Sequence, residues 1–334
     1  MTTARSRRPR SLVLAPTREL VNQIAERLAP LAEARGLWIT AVYGGVSMLR
    51  QIQNLRAGVE IVVATPGRMN DLLERGEVSL ADIELVVIDE ADQMADMGFL
   101  PQVERILGQI DGHVQTLLFS ATLDGAIGAL VRRYQQDPVH HEIAAPTATV
   151  DTLEQRFLRV YADEKVEVTA QVCAGAARAI VFVKTTHGAD RLARHLEQQG
   201  LSTEAMHGRM SQNKRERALD LFRTGKQPVL VATNVAARGI DVSEIDVVIH
   251  YDPPEDEKTY LHRSGRTARA GADGIAISLC SQDERPYLRD IEKLIRMAIP
   301  ASGQADPASQ STHRPPQHPR KEHERSGEIG RAHV

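Results

Sequence analysis

Between Leu12 and Ile291, short apolar runs alternate with longer amphipathic stretches. The runs Leu12 to Ala15, Trp38 to Val42, Ile61 to Ala64, Leu85 to Ile88 and Thr116 to Phe119 have the length and β-branched content of buried strands. Between the first two, Leu20, Ile24, Leu28 and Leu31 recur every three to four residues, which predicts a helix over Arg18 to Arg35. Continuous apolar strands separated by helices predict a parallel sheet covered on both faces. A second series follows with Ile180 to Val183, Ser202 to Met206, Val229 to Ala232, Val247 to Tyr251 and Ile275 to Leu279. Thr17 and Thr185 each follow the first strand of their series, and Thr65 and Thr233 each close a Val-Ala-Thr run. Both pairs lie 168 positions apart. One offset shared by two pairs in the same context indicates two tandem copies of one doubly wound α/β unit. The first copy is expected over residues 1–145 and the second over 153–299, joined by a linker at 146–152 that lacks an amphipathic period.

Residues 300–334 break the pattern. From Ala301 to Glu328 there is no Leu, Ile, Val, Phe, Met, Trp or Tyr, so too little apolar area is available to offset ordering entropy, and a disordered tail is expected. Its His313, His318 and His323 lack the spacing and Cys partners of a closed metal site and read as solvated. Lys and Arg number 41 against 44 Asp and Glu, a net charge of -3, so binding to a nucleic acid must come from local placement of groups and not from a bulk field. Cys173 and Cys280 stand far apart with no Cys-x-x-Cys, which argues against a disulfide framework or a Cys zinc site and favours a reducing cytosol. No apolar run is long enough for a membrane span, and Arg5 to Arg10 lacks the apolar core of a secretory signal. A cytoplasmic protein is expected.

Three sets of residues carry candidate chemistry. Leu85 to Ile88 runs straight into Asp89-Glu90-Ala91-Asp92, placing carboxylates at the carboxyl edge of a parallel sheet, where open α/β folds bind ligands. Asp89 there suits a Mg²⁺ held through water, and Glu90 the orientation of a water attacking a γ-phosphate; an acidic helix N-terminus is the plainer alternative. Arg263, Arg266 and Arg269 recur every three residues, which predicts one helical face of guanidinium groups suited to phosphate oxygens, or a solvated basic face. The hydroxyls Thr17, Thr65, Thr185 and Thr233 sit at equivalent strand ends. They suit either helix capping or a grip on backbone phosphates that reads no base.

In order along the chain stand Pro16-Thr17-Arg18-Glu19-Leu20, Gly44-Gly45, Thr65-Pro66-Gly67-Arg68, Asp89-Glu90-Ala91-Asp92, Ser120-Ala121-Thr122, Ala232 to Asp241 and His262 to Arg269. With these motifs the chain, from Leu12 to about Arg296, resembles bacterial DEAD-box ATP-dependent RNA helicases. The resemblance implies two RecA-like lobes that close on ATP and RNA and part short duplexes locally. It assigns Mg²⁺ and water activation to Asp89 and Glu90, arginine fingers to Arg266 and Arg269, and ATP contacts to Asp241 and Gly239. Coupling of hydrolysis to closure falls to Ser120, Thr122, Asp92 and His262. Contacts to RNA, without regard to sequence, fall to Pro16, Thr17, Arg18, Gly45, Thr65 and Arg68 in the first lobe and to Thr185, Gln212, Arg215 and Thr233 in the second. Implied partners are RNA and factors of ribosome assembly or RNA decay, with a monomer expected.

One part of that pattern is missing from these residues. Gly-Lys occurs only at Gly225-Lys226, followed by Gln227, so there is no Gly-x-x-x-x-Gly-Lys-[Ser/Thr] loop, and the glutamine-containing adenine element is also missing. A βα unit of about 30 residues is therefore expected to be lacking from the first lobe, and without it the chain is expected not to hydrolyse ATP. Ile329 to Val334 can be back-translated to a common sequencing adapter, so that end is read as extraneous. Rival readings are a non-catalytic RNA-binding fragment or regulatory truncation, and a DNA helicase, against which the Asp-Glu-Ala-Asp and Pro-Thr-Arg-Glu-Leu motifs argue. Met97, Phe99 and Trp38 read as packing residues.

Overall fold

The computed structural model describes residues 5–112, 114–123, 125–142, 153–237, 242, 244–268, 272–284 and 301–303. The first lobe holds strands β1 (Ser11–Leu14), β2 (Ile39–Val42), β3 (Ile61–Ala64), β4 (Leu85–Ile88) and β5 (Gln115–Leu118). Helices α1 (Arg18–Ala34), α2 (Met48–Ala57), α3 (Pro66–Glu74), α4 (Ala91–Asp96), α5 (Leu100–Leu107) and α6 (Gly125–Tyr134) connect and follow them. The second lobe holds β6 (Leu153–Arg159), β7 (Ala179–Val183), β8 (Thr203–Met206), β9 (Val229–Thr233), β10 (Val247–His250), β11 (Gly274–Cys280) and β12 (Ala301–Gly303). Its helices are α7 (Lys165–Ala174), α8 (Thr186–Gln198), α9 (Gln212–Arg223), α10 (Asn234–Ala237) and α11 (Glu257–Ser264).

Both sheets are parallel throughout, ordered β2-β3-β1-β4-β5 and β12-β6-β11-β10-β7-β9-β8. The duplication read from the Thr offset is visible in the pairing. β1 lies between β3 and β4 as β7 lies between β9 and β10, so the strands 168 positions apart hold equivalent places. Side chains alternate between faces as a strand requires. Leu12 and Leu14 enter one core of the first lobe and Val13 and Ala15 the other, while Val181 and Ile180 divide in the same way in the second.

The two lobes differ at one edge. In the second, β6 covers the outer side of β11; in the first, the equivalent side of β5 has no strand against it among the described residues. In β5, Gln115 and Leu117 are exposed and Thr116 and Leu118 half-buried, and Phe119 just beyond it is 55% exposed. A groove of about 670 Å³, lined by Val86, Leu107, Ile110, Val114, Leu118 and Val131, runs beside it. Such an edge presents unpaired backbone groups next to apolar surface.

Several expectations are corrected. Trp38 is not packed: it stands at the mouth of edge strand β2, 71% exposed. Its backbone fixes it there, with its N–H donating to Glu60 Oε2 at 2.7 Å and its carbonyl accepting from Ile61. Leu31 is 66% exposed, since α1 turns Leu20, Val21 and Ala32 inward instead. β6 carries no strand signal in the sequence, because its alternating burial and charged positions hide the apolar run of a central strand. Ala301 to Gly303 do not belong to a disordered tail but pair with Phe157 to Arg159. Strand addition at an edge needs backbone groups only, so the lack of apolar side chains does not prevent it. The rest of that expected tail, with its three histidines, and the linker at 146–152 lie outside the described residues. The Arg5 to Arg10 segment is pinned to the first lobe, where Arg10 meets Glu84 at 2.7 Å and Arg8 meets Asp82 at 3.2 Å. Both cysteines are buried and unbridged, and burial pushes the Cys173 thiol up to about 12, which leaves it inert. Among the described residues no helix is long and apolar enough to cross a membrane.

The second lobe contains a titratable group sealed in its core. His250 is fully buried, stacked on Tyr260 with ring centroids 5.0 Å apart and hydrogen-bonded through Nε2 to Ser264 Oγ at 3.2 Å. Burial, helped by the charge of Arg263, holds it well below its ordinary 6.5. A base that stays neutral when folded but takes a proton when unfolded lends its stability in full above about 6.5, and that stability falls as pH drops towards the depressed native value. Urea unfolding of the second lobe is therefore expected to show a lower midpoint at pH 5.5 than at pH 7.5, and His250→Gln should reduce the difference.

Candidate functional site

The carboxylates of the first lobe stand where β4 ends. Asp89 continues the sheet, its N–H donating to the Leu14 carbonyl at 2.9 Å, and the chain then turns sharply. Glu90 takes a left-handed backbone, φ 50° and ψ 50°, a conformation a non-glycine residue adopts only when its surroundings impose it. Its N–H donates to Asp89 Oδ1 at 2.9 Å, which fixes the orientation of that carboxylate. Partial burial raises the Asp89 carboxyl, opposed by this hydrogen bond. A desolvated carboxylate of this kind gains from a nearby cation. Among the described residues no cluster of three or more His, Cys, Asp or Glu could hold a metal. A single carboxylate such as Asp89 could contribute one oxygen ligand to a Mg²⁺ whose other ligands come from outside the protein.

Asp92 links this turn to two other segments. Its N–H donates to Ser120 Oγ at 3.2 Å, its Oδ1 accepts from the Ala121 N–H at 3.4 Å, and its Oδ2 faces His262 Nε2 of the other lobe at 3.8 Å. Ser120 Oγ in turn donates to the Thr122 carbonyl at 2.6 Å. The four residues expected to couple the lobes, Ser120, Thr122, Asp92 and His262, are thus brought together.

Arg263 and Arg266 do not share a helical face. α11 stops at Ser264 and is closed by Gly265, so Arg263 is helical and Arg266 is not. Arg263 is buried, 3% exposed, with Nε donating to Asn234 Oδ1 at 2.6 Å, Nη1 to the Asp252 carbonyl at 2.8 Å, and its guanidinium 5.2 Å over the Phe182 ring. Burial lowers it to about 10. It holds the end of β9 to α11 and is a framework residue. Arg266, past the helix end, donates from Nε to the His262 carbonyl at 3.1 Å and lines a small cleft with Asp96 of the first lobe. Arg269, Gly239 and Asp241 lie outside the described residues.

A second feature, a groove of about 470 Å³, opens between the lobes and takes in Pro16, Thr17, Arg18, Thr65, Arg68 and, from the second lobe, Met210. Arg68 is held by Gln51 Oε1 at 3.2 Å, and Gln51 by the Tyr43 carbonyl at 3.0 Å. Thr17 caps α1 by accepting from the Leu20 N–H at 3.2 Å, and Thr185 caps α8 by accepting from Gly188 at 2.9 Å. Thr65 precedes α3 without such a bond. Thr185 lies apart from the groove, in another cavity with Lys184 and Arg191, and Thr233 is buried at the end of β9. Gln212 and Arg215 reach across to the first lobe: Gln212 Oε1 accepts from Arg18 Nη1 at 3.2 Å, and Arg215 Nε donates to Glu19 Oε1 at 2.7 Å, both side chains of that pair being buried. Met97 and Phe99 are not simply core: both are half-buried and line the groove. The part played by Glu19 was not singled out in the sequence, although it stands inside the Pro16 to Leu20 motif, and neither the Gln51 nor the Asn234 contact has a local signal.

Gly45 is needed where it stands. Its φ is +82°, and a β-carbon there would run into the Arg18 guanidinium that lies across it. Gly45→Ala is expected to cost about 1–3 kcal/mol in the first lobe and to displace Arg18. Chemical denaturation and RNA titration of the variant check the two effects separately.

The site is thus framed by two parallel-sheet lobes, the acidic strand end of one facing His262 of α11 and Arg266 just past it in the other. Residues 1–129 match the DEAD/DEAH box helicase family and residues 164–271 the helicase conserved C-terminal domain. The ATP-dependent RNA helicase CshA of Listeria monocytogenes is 41% identical over 291 residues, which cover 86% of this chain and 56% of that protein. A DEAD box protein from Methanococcus jannaschii is 35% identical with a TM-score of 0.50, over 90% of this chain and 82% of that one. The structure of S. cerevisiae Dbp5 bound to RNA and ADP BeF3 superposes with a TM-score of 0.79 at 29% identity, over 89% of this chain and 78% of that one. The chain belongs to the DEAD-box family of ATP-dependent RNA helicases. It spans just over half the length of the curated relative it matches.

Proposed function

We propose that the whole protein is a cytoplasmic ATP-dependent RNA helicase whose lobes close on a single strand of RNA laid along the groove. The observation that carries this reading is the pair of contacts across the cleft, Arg215 with Glu19 and His262 with Asp92, which brings the groove and the carboxylate turn under one closure. In that arrangement Pro16, Thr17, Arg18, Gly45, Thr65 and Arg68 would offer hydroxyl, guanidinium and backbone donors to phosphates, which suits binding without regard to sequence. Gln212 and Arg215 would serve the strand by holding Arg18 and Glu19 in place, while Thr185 and Thr233, which lie outside the groove, would meet the strand only beyond it in the second lobe. The Dbp5 neighbour, bound to RNA and to ADP BeF3, supports both ligands.

For ATP, Asp89 would keep a Mg²⁺ through water and Glu90 would orient the attacking water. Arg266 and Arg269 would neutralise developing charge, and Gly239 and Asp241 would meet the nucleoside. A Mg²⁺ held by Asp89 would supply charge neutralisation at the phosphate oxygens. The turn from Asp92 through Ser120 to Thr122 would report the state of that site to His262. Monomeric action and service in ribosome assembly or RNA decay belong to the same proposal.

A second reading concerns these 334 residues alone, and the bare side of β5 favours it. By the symmetry of the two repeats, the first lobe has a place for a strand and helix equivalent to β6 and α7, and no Gly-Lys-[Ser/Thr] loop occurs in the sequence to hold a triphosphate. We infer that this chain binds RNA without turning over ATP. Fluorescence anisotropy with a labelled single-stranded RNA tests the groove: binding is expected to fall with added salt and to weaken several-fold in Arg68→Ala. Equal affinity in wild type and Arg68→Ala would sink it. Weaker binding to the DNA of the same sequence would separate this reading from that of a DNA helicase.

A further inference from the structure

The polar side chains of the groove account for phosphates and leave part of its lining unexplained. Met97 and Phe99 from the first lobe and Met210 from the second also face the same cavity. Gly98, with φ +73°, reverses the chain between the first two, so that α4 ends at one and α5 begins at the other. Phe99 packs against the core of the first lobe and stays half-buried, and its N–H is tied to the Met94 carbonyl at 2.8 Å. Met210 sits in a turn closed by its N–H on the His207 carbonyl at 3.1 Å, just before α9. His207 is anchored through Nε2 to Asp190 at 2.9 Å. All three apolar side chains are thus carried on fixed backbone, half-exposed, in a groove whose polar lining is hydroxyls, guanidinium groups and the carboxylates of Glu19 and Asp71.

We propose that Met97, Phe99 and Met210 form a shelf for one nucleobase of the bound strand, an inference that rests on the groove being the RNA path. An aromatic ring and two polarisable thioethers offer a base face contact and no hydrogen bond to its edge. The shelf therefore takes any of the four bases but requires that a base be there. It also links the lobes. Met210 comes from the second lobe and the other two from the first, so a base on the shelf touches both and favours the closed arrangement.

The test walks a single abasic site along a labelled oligouridylate of about ten nucleotides and reads the affinity of the full chain by anisotropy. With the wild type, removal of the base is expected to weaken binding by about tenfold at one position, the size of one base–aromatic contact, and to matter little elsewhere. In Met210→Ala and in Phe99→Leu the profile is expected to flatten, with circular dichroism melts confirming that each variant is folded. A flat wild-type profile, or a dip that survives in both variants, overturns the shelf. If Arg68→Ala still weakens binding in that case, the groove reading stands by itself. If the wild type binds no RNA, the groove reading fails and the shelf with it.

Discussion

Phosphate release from ATP by these 334 residues is expected to stay at background, with or without RNA, and to appear once a strand, a Gly-x-x-x-x-Gly-Lys-[Ser/Thr] loop and a helix are seated beside β5. The reason is positional. Asp89, Glu90 and Arg266 are fixed by the end of β4, the left-handed turn and the end of α11, yet the sequence holds no Gly-x-x-x-x-Gly-Lys-[Ser/Thr] loop to anchor the phosphates they would act on. A catalytic group without a positioned substrate loses most of its effect. The flank of β5 offers a place for such a unit, since Leu117, Phe119 and Leu123 are exposed along it. In the completed protein, Glu90→Gln is expected to lower turnover by about 10²–10⁴-fold while leaving RNA affinity near that of the parent. Turnover by the unmodified chain, lost in Glu90→Gln, would show that the phosphates are anchored in some other way.

Closure of the lobes is expected to fail in Glu19→Gln. The Arg215–Glu19 pair is buried between the lobes, and removing one partner leaves a charge without its counter-charge, at a cost of about 3–5 kcal/mol to that arrangement. The lobes have an escape that a core ion pair lacks: they can part and let water reach Arg215. The substitution is therefore expected to change the distance between lobes more than the stability of either one. Small-angle scattering should show a larger radius of gyration, and a dye pair across the cleft lower transfer efficiency. RNA binding should weaken too, since Glu19 neighbours Arg18 in the groove. The double variant Glu19→Gln, Arg215→Gln should recover part of the closure, because it leaves no buried charge. Unchanged scattering in the single variant would show that other contacts hold the lobes.

How far the sequence could be read depended on the range of the interactions involved. Strands such as Leu12 to Leu14 and Val229 to Thr233 were legible because burial on both faces leaves an unbroken apolar run. The Thr offset revealed the duplication because strand ends recur in register. The carboxylate turn and the motif order gave the family. Contacts between segments far apart were not legible. Nothing in local spacing says that Arg263 turns into the core to meet Asn234, or that Gln212 reaches Arg18. The expected arginine face failed because Gly265 closes the helix one residue before Arg266. Trp38 departs from the packing expected of it for a related reason: an aromatic residue next to a strand is packed only if another element covers it, and β2 is the edge of its sheet.

The left-handed backbone at Glu90 sets the needs of folding against those of chemistry at a single residue. Holding a side chain at φ 50° costs the first lobe about 1–3 kcal/mol that a glycine would not. The position proposed to orient water is thus one where the folded state alone would do better with no side chain. Under a drift that rewarded only ruggedness, this torsion would be among the first to be relaxed, and a glycine found at position 90 in some related chain would mark a protein that keeps the shape and has given up the reaction.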